Sequence, residues 1–244
     1  VGLQVGDPNA VVARVWVALD ASPEVIRAAG TAGVDLLVTH HPLLFRALQR
    51  VDLSTPIGAA VGEALGHGLN VVCLHTNLDA APHGLNDLLG RRLGLRRLRP
   101  LSDGTETDRE PGPGIGRIGD LARPRRVDWL AREVKQRLEA PAVRVAGKAE
   151  AVVRCVAVST GSGRSLVPRF LRSDAQVFIS GDLGYHEARA VVDAGRSLID
   201  VGHFHSEQFM KEALARRLAR EFARRRMAVR VQACPLENDP FTLM

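Results

Sequence analysis

The chain is poor in cysteine and in aromatic side chains, and it has no long apolar run. Its three cysteines, Cys73, Cys155 and Cys234, share no CxxC spacing. That speaks against a disulfide framework or a cysteine-built zinc site and fits a reducing, cytoplasmic compartment. Aromatic residues make up 4% of the sequence, which leaves few platforms for stacking nucleic-acid bases. No apolar stretch approaches the roughly 18 to 20 residues of a membrane-spanning helix, and the start carries no secretory signal pattern. The sequence opens on Val1 rather than methionine, so an upstream segment is expected. What is present in quantity is ordinary: 45% apolar and 25% charged residues over 244 positions, enough for one large or two modest domains. The net charge of +6 comes mostly from arginine, in "RRLGLRRLRP" (91–100), "RPRR" (123–126) and "RRLAREFARRR" (216–226). Such clusters fit either a nucleic-acid surface or solvated helix faces, and the second is the plainer reading. A phosphorylated small molecule is compatible with the charge.

The first hundred residues alternate strand and helix. Strands are expected at 11–20, 35–39 and 70–75, and helices at 22–33, 55–68 and 83–94. The first two helices share one grammar: Ser22 or Thr55 as N-cap, Pro23 or Pro56 at the first helical position, and glycine past the end. Residues 102–124 are rich in Gly and Pro at their start and read as a connection. A second alternating series follows, with helices at 125–139, 164–172 and 185–195 and strands at 152–160, 175–180 and 197–202. A long amphipathic helix (206–225) and a strand (228–233) close the chain. The expectation is an α/β protein of two α/β lobes, with parallel-rich sheets covered by helices. The first lobe spans 1–101 and the second 125–202. Residues 203–244 carry a ligand-bearing helix and a strand that pack back on the first lobe.

Ligands in open parallel sheets bind beyond the carboxyl ends of the strands. Three strand ends here carry imidazoles and carboxylates: His40 and His41 after "LLVT", His75 and Asp79 in "HTNLD", and His203, His205 and Glu207 in "HFHSE". Past a strand end, where Pro42 forces a turn, two adjacent histidines can swing toward one point. His203 and Glu207, four apart on a helix, share a face that His205 does not. Such a set exceeds one zinc shell and suits a two-metal site, because a carboxylate can bridge. Two more strand ends are candidates. "TGSGRS" could cradle an anion on the backbone of Gly161, Ser162 and Gly163, or be a tight turn. "SGDLGYHEA" offers Asp182, which could cap a helix, and His186, an acid–base group or a partner to a ligand. His75 and His186 are the candidate proton-transfer residues.

Taken together, "VGLQVGD", "LLVTHHPLLF", "HTNLDAA", "GIGRIGDL", "VAVSTGSG", "ISGDLGYHEA", "LIDVGHFHSE" and "ENDPF" resemble the GTP cyclohydrolase I type 2-like family, also called Nif-three-like or Ngg-interacting-factor-three-like. The resemblance runs in order over nearly the whole chain. It lacks the middle domain of longer members and the family's N-terminal helix. The resemblance implies two α/β lobes, a dinuclear metal site in the cleft and a toroidal homohexamer. His41 and Asp79 would bind one divalent cation, His40 and His203 the other, and Glu207 both. His75 matches a family position near the site that is not usually a ligand. All-N/O ligation accommodates zinc, iron, manganese, nickel or cobalt. The implied reaction is metal-assisted hydrolysis of a nucleotide, with GTP ring opening as the inherited label. A non-catalytic metal-binding or partner-binding scaffold and a phosphoester hydrolase remain open, since neither NKxD nor a P-loop pattern reads guanine here.

Overall fold

A computed structural model describes residues 1–101 and 114–242. The chain divides into two compact units. The first comprises Val1–Leu78 and Met210–Asn238, the second Asp79–Phe209 and Asp239–Met244.

The first unit is built on a five-stranded sheet in the order β1(Gly2–Val5), β4(Asn70–Cys73), β3(Leu36–Thr39), β2(Arg14–Ala18), β11(Arg230–Ala233). β1 runs antiparallel to β4, and the other pairings are parallel. The two predicted helix grammars form as read. Ser22 caps α1(Pro23–Thr31) by accepting from the Val25 amide, and Thr55 caps α2(Pro56–Gly66) by accepting from Gly58. These helices bury Val25, Ile26, Ala29, Ala60 and Ala64 against Leu37, Leu69 and Val71. The C-terminal helix α9(Met210–Arg224) and β11 belong to this unit, α9 lying against β2 and β11. The short helix α3(Thr76–Ala80) carries the chain into the second unit.

The second unit holds a six-stranded mixed sheet, β5(Arg96–Pro100)–β6(Arg117–Arg126)–β8(Val152–Ser162)–β9(Val177–Gly181)–β10(Ser197–Asp200)–β7(Arg144–Ala146). Only β8–β9–β10 are parallel; β5–β6, β6–β8 and β7–β10 are antiparallel. Alternate side chains of β8 serve two cores. Val156 and Val158 pack with Leu130 and Val134 of α5(Val127–Arg137), while Cys155 and Ala157 pack with Phe170 of α6(Val167–Arg172) and Val191 of α7(Tyr185–Asp193). Helix α4(Leu85–Arg92) adds Leu89 to the first of these cores.

Of the connection expected over 102–124, residues 102–113 lie outside the described residues, and 117–126 form β6. The sequence hides that strand because "RIGDLARPRR" is basic and interrupted by Pro124. Its N-terminal half is buried and its C-terminal half wet. The helix expected over 206–225 divides into α8(His203–Glu207) and α9. Among the described residues, no helix is long and apolar enough to cross a membrane.

Candidate metal centre

In the first unit the site begins where β3 stops. The chain continues beside β2 for two more residues: the His40 amide donates to Ala18 and Leu19 carbonyls at 3.2 Å, and the His41 amide to Leu19 at 2.8 Å. This backbone pairing past the strand end presents both rings. His40 is buried, at 1% exposure, and its Nδ1–H donates to the Leu74 carbonyl at 2.9 Å. His41 donates Nδ1–H to Asp20 Oδ1 at 2.8 Å. Each bond places the ring proton on Nδ1 and the lone pair on Nε2, the arrangement that metal-ligating histidines adopt. His75, just past β4, completes a cluster with ring centroids 5.3 Å from His40 and 5.9 Å from His41. One ligand atom from each of the three falls within 4.8 Å of the others.

The second unit assembles carboxylates around the end of β8. Asn86 of α4 donates to the Asp79 carbonyl at 3.1 Å and accepts the Thr160 amide at 3.0 Å. The Thr160 hydroxyl donates to Asp79 Oδ1 at 3.3 Å. One residue on, Gly161 adopts a left-handed φ of +58° and lies directly against the Glu207 carboxylate. Its amide donates to Ser206 Oγ at 2.8 Å, and Ser206 in turn donates to the His203 carbonyl at 2.7 Å. Thus Thr160 and Gly161, near the end of β8, hold Asp79 on one side and the helix α8 that carries His203 and Glu207 on the other.

On α8, His203 Nε2 stands 3.2 Å from Glu207 Oε2, one helical turn apart as the spacing predicted. His203 Nδ1 lies 2.6 Å from Asp182 Oδ2. These two carboxylates push the pKa of the imidazole up to about 9, the hydrogen bond to Glu207 contributing most and burial opposing it. Glu207 is 3% exposed. A buried carboxylate beside an imidazole calls for positive charge: in the absence of metal a proton supplies it, and a cation would displace that proton.

The remaining candidates take other places. His205 points away from His203 and Glu207, pairing with Asp239 at 3.3 Å. His186 is exposed on the first turn of α7, edge-on to Tyr185. In the expected anion cradle, the Gly161 amide goes to Ser206 and the Gly163 amide to the Gly181 carbonyl at 3.3 Å. Those donors are spent within the fold. Asp182 does not cap α7, whose N-cap is Gly184. Asp20, Thr160 and Asn86 were not anticipated. Asp20 had a signal, since it lies two residues beyond the end of β2, where the strand-end rule already pointed.

His40 and His41 in the first unit, and Asp79, His203 and Glu207 in the second, are of the donor types that divalent transition metals take, each of the three imidazoles having Nδ1 tied to an acceptor. A Streptomyces coelicolor protein called "GTP cyclohydrolase 1 type 2 homolog" is 38% identical over 99% of this chain and 86% of its own length. A Clostridium perfringens protein of the same name is 33% identical over 85% of this chain and 78% of its own. Among solved structures, a Staphylococcus aureus hypothetical protein matches at TM-score 0.91 with 25% identity, covering 100% of this chain and 91% of that one. Reduced HcgD from Methanocaldococcus jannaschii matches at TM-score 0.78 with 27% identity, covering 96% and 88%. The model of the Duf34/NIF3 (NGG1p interacting factor 3) family matches residues 1–240, and the chain belongs to that family.

Proposed function

We propose that the protein holds two divalent cations on His40, His41, Asp79, His203 and Glu207 and uses them to hydrolyse a nucleotide or a related small molecule. The observation that carries this reading is the shared tautomer. His40, His41 and His203 each commit Nδ1 to a carbonyl or carboxylate acceptor, which leaves Nε2 as the coordinating atom in all three. Bound divalent cations supply Lewis acidity and lower the pKa of water. The chain's part is to orient and to move protons. Thr160 and Asn86 fix Asp79, Gly161 makes room for Glu207, and α8 sets His203 beside it. His75 packs against the rings of His40 and His41, where it can exchange a proton with substrate or add a further donor. His186 is exposed on α7 and is the second proton-transfer candidate.

GTP is the substrate that the relatives' names suggest. With the amides of Gly161 and Gly163 already engaged, triphosphate binding would fall to arginine side chains rather than to that turn. The cytoplasmic placement is supported by three free thiols. Assembly as a homohexamer is part of the proposal, supported by the exposed apolar side chains Phe45, Leu48, Val51 and Leu53 of the first unit. Metal analysis of protein purified without added metal, beside a His40→Ala/Glu207→Ala double variant, tests the cations; equal, sub-stoichiometric metal in both would overturn them. Incubation of the loaded protein with GTP separates the reactions. Formate release supports ring opening, inorganic phosphate supports phosphoester hydrolysis, and no turnover on nucleotides leaves a metal-binding scaffold.

A further inference from the structure

In each unit one candidate ligand histidine is backed by an aspartate whose loop is held by a second acidic residue. In the first unit, Asp20 accepts from His41 Nδ1 at 2.8 Å. The backbone carrying Asp20 is fixed by Glu237, whose carboxylate accepts the Leu19 amide at 2.8 Å and the Asp20 amide at 2.6 Å. Glu237 is anchored by Lys211 at 3.3 Å, both side chains being largely buried. In the second unit, Asp182 accepts from His203 Nδ1 at 2.6 Å. Here Asp200 accepts the Leu183 amide at 3.1 Å and the Gly202 amide at 2.9 Å. It thereby ties the residue after Asp182 to the residue before His203. Arg144 closes this arrangement on Asp200 and on the Leu183 carbonyl. Asp182 also sits at φ +54°, a left-handed backbone that an aspartate tolerates only at some cost and that persists where surroundings impose it. His40, by contrast, donates to a neutral carbonyl.

We propose that Asp20 and Asp182 are positioning residues that fix His41 and His203 as Nδ1–H tautomers and raise the donor strength of their Nε2 atoms, while Glu237 and Asp200 hold the two loops that present them. The proposal rests on the metal-binding reading given above and deepens it. It divides the three anchored imidazoles into two classes. His41 and His203 have negative charge behind Nδ1, whereas His40 Nδ1 faces a neutral carbonyl. A hydrogen bond from a ligating imidazole to a carboxylate makes the ring more basic and locks its orientation. The acidic terminal stretch "ENDPF" thereby acquires a role through Glu237, which acts on His41 by way of the backbone of Asp20.

The test uses the full chain with Asp20→Ala, Asp182→Ala, Asp20→Asn and Asp182→Asn variants. Zinc affinity is read by competition with a chromophoric chelator. The ring nitrogens of the metal-free protein are read by nitrogen NMR at pH 10, where the imidazoles are neutral. The wild type is expected to show the proton on Nδ1 of His41 and His203. Each alanine variant is expected to release that preference in its own histidine alone and to weaken zinc by about 10- to 100-fold. The asparagine variants keep an acceptor oxygen, so they are expected to retain the tautomer with an intermediate loss of affinity. They carry the test if an alanine variant fails to fold. Alanine variants that fold and bind zinc within twofold of wild type would overturn the proposal, as would wild-type rings carrying the proton on Nε2. If the wild type takes up no zinc, the metal reading fails instead, and the NMR result alone shows whether the aspartates set the tautomers.

Discussion

Replacing Gly161 with alanine is the most local perturbation of the candidate centre. A Cβ built on this residue would stand 3.1 Å from His203 Nε2 and 3.2 Å from Glu207 Cδ, and closer still to Glu207 Oε1. Two costs follow. A residue with a Cβ pays about 1–2 kcal/mol to hold the left-handed backbone that Gly161 adopts at φ +58°. Forcing a methyl against a buried, hydrogen-bonded carboxylate adds an overpacking cost of about 1–3 kcal/mol. Together these predict a loss of about 2–5 kcal/mol, which in a chain of this size lowers Tm by roughly 4–20 °C. The control is Gly66→Ala at the end of α2, where a Cβ meets nothing within 4 Å and no comparable loss is expected. Thermal melts of the metal-free proteins measure the first effect. Zinc competition measures the second, a loss of affinity of at least tenfold, because Glu207 can no longer hold its place beside His203. A Gly161→Ala protein with unchanged Tm and unchanged zinc affinity would refute the account of this turn. A lowered Tm with intact zinc binding would refute only the part that ties Gly161 to the metal.

Other perturbations test the supporting structure. Arg117, 3% exposed, pairs with Asp87 and donates to the carbonyls of Gly114 and Gly116. Arg117→Ala would leave Asp87 without that cation, at a cost of about 3–5 kcal/mol, measurable by urea denaturation. Glu237→Ala removes the acceptor of the Leu19 and Asp20 amides, at about 1–3 kcal/mol for a buried bond to a charged group, and hydrogen exchange should speed up at those two amides before it does in the adjoining strand β2. For pH, the sign follows from the raised His203 pKa of about 9. The ion pair in the metal-free protein contributes fully below the ordinary histidine pKa near 6.5 and is lost as pH climbs through about 9. Zinc must displace that proton at neutral pH, so affinity should rise with pH up to about 9. Calorimetry at pH 7.5 in buffers of differing ionisation enthalpy should show the proton released, and binding that liberates none would contradict the assignment.

What was legible in the sequence follows a physical pattern. Helices α1 and α2 were readable because their ends are written locally: a capping hydroxyl, a proline at the first position, and Gly33 or Gly68 at positive φ beyond the last turn. Strands β3, β4 and β10 were readable as short apolar runs. Strands β5, β6 and β7 were not, because antiparallel pairing, and not their own composition, defines them: "RRLRP" and "RIGDLARPRR" contain more arginine than an isolated strand signal allows. The same limit governs the site. Imidazoles and carboxylates at strand ends announce themselves by type and place, so His40, His41, Asp79, His203 and Glu207 stand out as candidates from the chain alone.

The supporting residues could not, because their function lies in a contact and not in a chemical type. Nothing in "VALDAS" distinguishes Asp20 from a surface aspartate until the backbone past β2 turns it toward His41. "STGSG" has the composition of an anion loop, yet two of its amides are consumed by Ser206 and the Gly181 carbonyl, and its first glycine is there to admit Glu207. Both are cases where a neighbouring element reassigns a residue whose local signal points elsewhere. The strand-end rule that points to the candidate ligands points equally to Asp20 when it is applied to β2 as strictly as to β3 and β4. Applied to β9, it reaches Asp182, for which the sequence alone offers helix capping as a reading, while the N-cap of α7 is Gly184. A ligand histidine at one strand end, then, is reason to look for a carboxylate at the end of another strand of the same sheet. Asp20 just past β2 beside His41 just past β3, and Asp182 just past β9 beside His203 at the start of α8 after β10, are both of that form: in each pair the two strands are parallel neighbours.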